Sequence, residues 1–211
     1  MGELILSSIS TIIVNLIIFC SIPFLCWLIR YRKKESFFDW IGLIKPKLKA
    51  NKWGIIIFII AYGFFYLFDY TVFMDDKSLE TLQTNDSITA NVYTGLGIIA
   101  IIPSLLTTLL ANGLCEEILF RGFVSKRLCN KFGKKAGVII QGILFGLMHN
   151  AIYILSGIEV SMQFHIVLFV FTGMGGLLLG GLDEIIYNGS IIPSVFLHGL
   201  GNFISDLMIM F

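Results

Sequence analysis

The chain has 211 residues, 15 of them basic and 14 acidic, for a net charge of +1. Hydrophobic residues make up 56% of it and a further 21 residues are Gly, against an apolar share of about 45–50%, Gly included, in a soluble domain. Such a chain is neither disordered nor a basic nucleic-acid binder, and it carries too little polar surface to cover a soluble globule.

Six stretches, at about 4–29, 53–73, 92–120, 136–158, 160–182 and 191–211, are apolar on every face. Each is close to the roughly 20 helical residues that cross a bilayer core of about 30 Å, or longer. In lipid every backbone N–H and C=O must be satisfied within the segment, which selects helices. The sequence therefore predicts an all-α, polytopic membrane helix bundle of about six transmembrane helices, one membrane-embedded domain over 1–211.

In chain order, the first stretch lacks the basic start of a secretory signal, and Leu6 stands where a myristoylation motif has Ser or Thr. Residues Ser36–Lys52 alternate apolar side chains with lysines, which fits a segment lying in the interface, its helix limited by Pro46. A loop with snorkelling lysines fits equally well. The third stretch is too long for one straight span, and Pro103 predicts a kink or break in it. Gly142 with Gly146, Gly176 with Gly180, and Gly199 with Gly201 predict close helix–helix approach. Cys20, Cys26, Cys115 and Cys129 form no CxxC pair and read as small buried hydrophobes. The Asn85 and Asn188 sequons are short enough to arise by chance.

Charge gives sidedness. Eight basic residues lie between the first two spans, and Lys126, Arg127, Lys131, Lys134 and Lys135 lie between the third and fourth. Positive loops stay cytoplasmic. The loop carrying Asp75, Asp76, Glu80 and Asp86 suits the outer face, with both termini outside. The stretch Asp183–Ser190 should be cytoplasmic by alternation yet has no Lys or Arg. Abundant Ile and Lys suggest a bacterial plasma membrane.

An ionisable residue inside a span costs about 2.5–3.5 kcal/mol on insertion scales, so those present need a reason. Glu117 and Arg121 are spaced i,i+4 with the acid first, which suits a structural ion pair. Glu116 points about 100° away with no local partner, as suits a general base. On the fourth span Phe145 and His149 share a face, and on the sixth His198 and Asn202 do. Counted from the predicted cytoplasmic ends, Glu116, His149 and His198 lie roughly 10–20 Å deep, within reach of one layer. Singly, each His or Asn is as well explained as interhelical hydrogen-bonding; together on three spans they point to a site. Asp69, Glu159, His165 and Asp206 fall near predicted outer ends, where water or headgroups can solvate them.

The ordered set EExxxR (Glu116, Glu117, Arg121), FxxxH (Phe145, His149) and HxxxN (His198, Asn202) resembles the CPBP family. These are the CAAX-protease and bacteriocin-processing, or Abi, intramembrane proteases, and the resemblance covers 92–205. It implies an endopeptidase in which Glu116 and His149 activate a water and His198 and Asn202 stabilise the oxyanion. Glu117, Arg121 and Phe145 would support the site. It implies a membrane-associated peptide or protein substrate, reached from the cytoplasmic side, in peptide-pheromone or bacteriocin maturation or in self-immunity. No cofactor is expected; in a zinc-dependent version the ligands would be Glu116, His149 and His198. A non-proteolytic immunity or partner-binding protein on the same fold is the alternative. The bilayer is an expected partner and nucleic acid is not.

Overall fold

The computed structural model describes residues 2–50, 52–84 and 91–211; Asp86 and the Asn85 sequon lie outside them. Every regular element among the described residues is helical. Five helices are long and apolar enough to cross a membrane: α1 (Gly2–Arg30), α5 (Gly97–Phe132), α6 (Lys134–Leu155), α7 (Met162–Ile186) and α8 (Ile192–Met210). Between α1 and α5 come α2 (Phe37–Ile41), α3 (Lys52–Leu67) and α4 (Asp76–Thr84). The protein is thus an all-α, multi-pass membrane bundle. The second predicted span is shorter than expected: α3 stops at Leu67, and a separate 3-10 turn, Tyr70–Phe73, follows with Asp69 as its cap.

The largest departure from expectation is α5. The predicted third span ended near 120, but the helix runs on to Phe132 and turns at Gly133 straight into α6. Lys126, Arg127 and Lys131 therefore sit on a helix rather than in a loop. Pro103 falls near the start of α5, where the 3-10 turn Gly97–Ala100 passes into α-helix, and proline is best tolerated near a helix start. The irregularity comes later, as two π-helical stretches, Thr107–Leu114 and Ile118–Ser125. Between them a single α turn, Cys115–Glu117, carries both glutamates. Widened turns of this kind concentrate at functional sites.

Lipid offers no hydrophobic drive for helix pairing, so close approach has to come from small side chains. Gly113 of α5 faces Gly199 of α8 so tightly that a Cβ on Gly199 would lie 2.8 Å from the Leu109 Cα. Likewise a Cβ on Gly176 of α7 would lie 3.1 Å from the Cα of Gly142 on α6, and one on Gly146 would lie 2.7 Å from the Phe169 carbonyl. The predicted packing glycines do meet neighbours, with Gly201 turned to Tyr66 of α3.

The 36–52 segment does more than lie on a surface. Ser36 caps α2 by accepting the Asp39 N–H at 3.1 Å, and Gly42, at φ +77°, ends it well before Pro46. Trp40 and Ile41 are then inserted into a core with Ile118 and Ile191. The basic-poor stretch Asp183–Ser190, which begins within the last turn of α7, also resolves. Glu184 is paired with Lys126 at 3.1 Å and Lys134 at 3.5 Å, so its positive charge is supplied by α5 and α6. All four cysteines are free, Cys115 and Cys129 buried and the other two half-buried.

Candidate active site

The glycine contacts bring α8 against Thr107–Leu114 of α5, and α6 packs on the stretch that follows, Ile118–Phe132. Extension of α5 also corrects the depths. Glu116 lies 16 residues before the end of α5 and His149 15 residues after the start of α6, so the two sit at matched heights on a helical hairpin.

At that height the polar side chains converge on one aromatic ring. Phe145 is 4% exposed; the Arg121 guanidinium lies 4.3 Å from its centroid, and Phe120, His149 and His198 rings lie at 5.0, 4.5 and 6.1 Å. Arg121, 1% exposed, meets Glu117 at 3.0 Å through Nε, and cation–π contact with Phe145 supplements that charge pairing. Glu117 is more than the structural partner that the sequence suggested. Its other oxygen accepts from His198 Nδ1 at 2.8 Å.

That bond sets the chemistry of His198. With Nδ1–H given to Glu117, Nε2 is the ring atom left for a reacting group. It faces Glu116, whose Oε2 lies 4.0 Å away, a charge contact rather than a hydrogen bond. Glu116 Oε2 is buried and has no hydrogen-bond partner. His149 is oriented by the same device with a different acceptor: its Nδ1 faces the Phe145 carbonyl at 2.9 Å, leaving Nε2 available. Glu116 and His198 both lie within electrostatic reach of His149. Asn202 is half-buried one turn beyond His198 and makes no side-chain hydrogen bond to Glu116, His149 or His198. The structure therefore gathers Glu116, Glu117, Arg121, Phe145, His149 and His198 and leaves Asn202 at the margin. No group of three or more His, Cys, Asp or Glu side chains among the described residues is arranged to hold a metal ion. The Glu116, His149 and His198 set is not such a group here.

A family model described as type II CAAX prenyl endopeptidase Rce1-like matches residues 98–204, just over half the chain. The chain belongs to the Rce1-like family. No curated protein and no solved structure matches it. The span shared with this membrane protease family contains all seven residues singled out from the sequence, and it begins and ends within α5 and α8. Membership makes the protein a member of a protease family built for membranes.

Within this Rce1-like core, sequence reading missed two polar groups. Ser194, fully buried, precedes His198 by four residues and donates to Asp183 Oδ2 at 2.7 Å. The i,i+4 spacing from His198 was the signal for Ser194. Asp183, 1% exposed, was placed in a loop because only the fold shows the span continuing past it. Asp206 was also misplaced: it is buried and accepts from Ser104 at 2.6 Å instead of facing headgroups. Glu159 and Asp69 are exposed as expected, while His165 pairs with Asn150 at 2.9 Å.

Proposed function

We propose that the protein is a glutamate-type intramembrane endopeptidase that hydrolyses a peptide bond in a membrane-associated peptide or protein. Glu116, assisted by His149, takes a proton from water as its oxygen attacks the carbonyl carbon. His198, through Nε2–H of its imidazolium form, and the Asn202 carboxamide donate to the resulting oxyanion. Collapse breaks the C–N bond, and Glu116 returns the proton to the departing amine. Glu117 and Arg121 hold His198 in register, and Phe145 holds both rings. The observation that supports this best is the buried Glu116 oxygen with no protein partner, facing a histidine whose other nitrogen is already committed.

The apolar surface on all sides makes lateral entry from the bilayer the natural route for substrate. The basic end of the bundle would face the cytoplasm of a bacterial cell, with maturation of peptide pheromones or bacteriocins, or self-immunity, as the context. Asn202 needs only a side-chain rotation, or substrate itself, to complete the oxyanion site; apo geometry of this kind commonly tightens on binding.

The decisive variant is Glu116→Gln, isosteric but unable to act as base. Processing of a co-expressed peptide substrate should fall by about 10²–10⁴-fold while the protein still accumulates. Retained function would overturn catalysis and favour an immunity protein that binds without cleaving. The same assay with a chelator separates mechanisms: unchanged activity is expected, and its loss with rescue by zinc would overturn the metal-free scheme.

A further inference from the structure

A cavity of about 420 Å3 opens at the basic end of the bundle, away from the catalytic layer, with Tyr31, Glu35, Trp40, Arg127, Asn130 and Lys131 in its wall. Lys126 also borders it, but that ammonium is spent on Glu184 and the Gly189 carbonyl. Arg127 is held differently. Its guanidinium lies 3.5 Å from the Trp40 ring centroid and its Nη1 donates to the Gly122 carbonyl at 2.8 Å. Its Nη2 has only a 3.4 Å contact to the Trp40 carbonyl. Neither Arg127 nor Lys131 has an ion-pair partner among the described residues. A guanidinium fixed by stacking, with no carboxylate to neutralise it, is preorganised for a phosphate. With Lys126 paired to Glu184, Arg127 and Lys131 against Glu35 leave the wall net positive.

The surroundings say what carries that phosphate. Tyr31 and Trp40 are the amphipathic aromatics that favour headgroup depth. Exposed Phe132 lies beside Lys131, whose ammonium is 5.0 Å from its ring centroid, so apolar surface adjoins the polar cavity. A soluble phosphate uses none of that surface; a lipid uses both. We propose that this cavity seats the headgroup of an anionic glycerophospholipid, with the phosphate on Arg127 and Lys131. Asn130 and Glu35 meet the headgroup hydroxyls, and the acyl chains run over Phe132. Basic pockets between helices at a membrane surface bind such headgroups by charge. Because Arg127 is stacked on Trp40 of α2 and bonded to α5, the lipid would fasten α2 to the helix that carries the glutamates. The proposal is independent of whether Glu116 is catalytic.

The test is native mass spectrometry of the full-length, detergent-purified protein titrated with phosphatidylglycerol, phosphatidylcholine, phosphatidylethanolamine or inorganic phosphate. Lys131 is exposed, so Lys131→Gln leaves the fold alone. Removing one basic residue near a membrane surface is worth about 1 kcal/mol, so this variant should bind phosphatidylglycerol about fivefold more weakly. Lys47→Gln removes an equal charge from exposed surface outside the cavity and should leave binding unchanged. Equal affinity in wild type and Lys131→Gln, or equal losses in both variants, overturns a defined site. Zwitterionic lipids binding as well as phosphatidylglycerol overturn the charge argument. Inorganic phosphate displacing the lipid at equal concentration assigns the cavity to a free anion and overturns the lipid.

Discussion

Two charged clusters hang on the same helix, and they are built alike and worth different amounts. In the interior layer Glu117 meets Arg121 and His198, and both partners of the Glu117–Arg121 ion pair are shielded completely. Near the basic end Glu184 meets Lys126 and Lys134, the latter about half exposed. Where water can replace a lost partner, an ion pair is worth about 0–1 kcal/mol. Where it cannot, removing one partner strands a charge and costs about 3–5 kcal/mol. The interior cluster is therefore the one that obliges α5, α6 and α8 to keep a single relative placement. Glu117 does this while also orienting a histidine, so support and chemistry share one carboxylate.

The sharpest way to break this contrast is Arg121→Met. It leaves Glu117 buried with only His198 beside it and should destabilise the protein by about 3–5 kcal/mol, read as lost accumulation and lower thermal stability in detergent. Stability close to wild type would mean that His198 alone can hold that charge. Next, Gly199→Val forces side-chain atoms against Leu109 and should cost about 1–3 kcal/mol, separating α8 from α5. Processing should fall further than accumulation, because His198 moves with α8. Lys134→Gln, in the outer cluster, should change thermal stability by no more than about 1 kcal/mol; a larger loss would place Glu184 with the interior class.

The smallest effect lies at the opposite end. Asp75 accepts from the Ser78 N–H at 3.0 Å and from the Ser161 hydroxyl, and these bonds hold its carboxyl down at about 2. A carboxylate that is free in the unfolded chain titrates near 3.9. The link from α4 to the start of α7 should therefore be complete above about pH 4 and be lost as pH falls through about 2. Amide exchange at Ser161 measures it, and protection lost already at pH 5 would remove Asp75 from that role.

The class of fold was legible because spanning length and uninterrupted apolarity are properties of single segments. The polar residues that the fold gathers were legible for a related reason: a charge in an apolar run stands out without knowledge of neighbours. What escaped was relational. Nothing local to Lys126 says that it answers Glu184, and nothing in the run after 120 says that the helix continues through lysines to Phe132. The pairing of Glu117 with Arg121 followed from spacing within one helix. Its bond to His198, 81 positions away in sequence, did not. Asp183 looked like a loop residue because the helix end was drawn where apolarity ended.

The two π stretches that flank Cys115–Glu117 also change the angular phase of α5. Each wide turn inserts backbone without advancing the helix by a full α-helical step, so side chains beyond it are rotated from where an uninterrupted α-helix would aim them. The azimuth of the glutamates is thereby set independently of the azimuth of Ser104, which meets α8 on one side, and of Lys126, which meets Glu184 on the other. A one-residue deletion inside either stretch would leave composition and span length almost untouched. It would swing one end of α5 by about 100° relative to the carboxylates. The site is thus keyed to residue count as much as to residue identity.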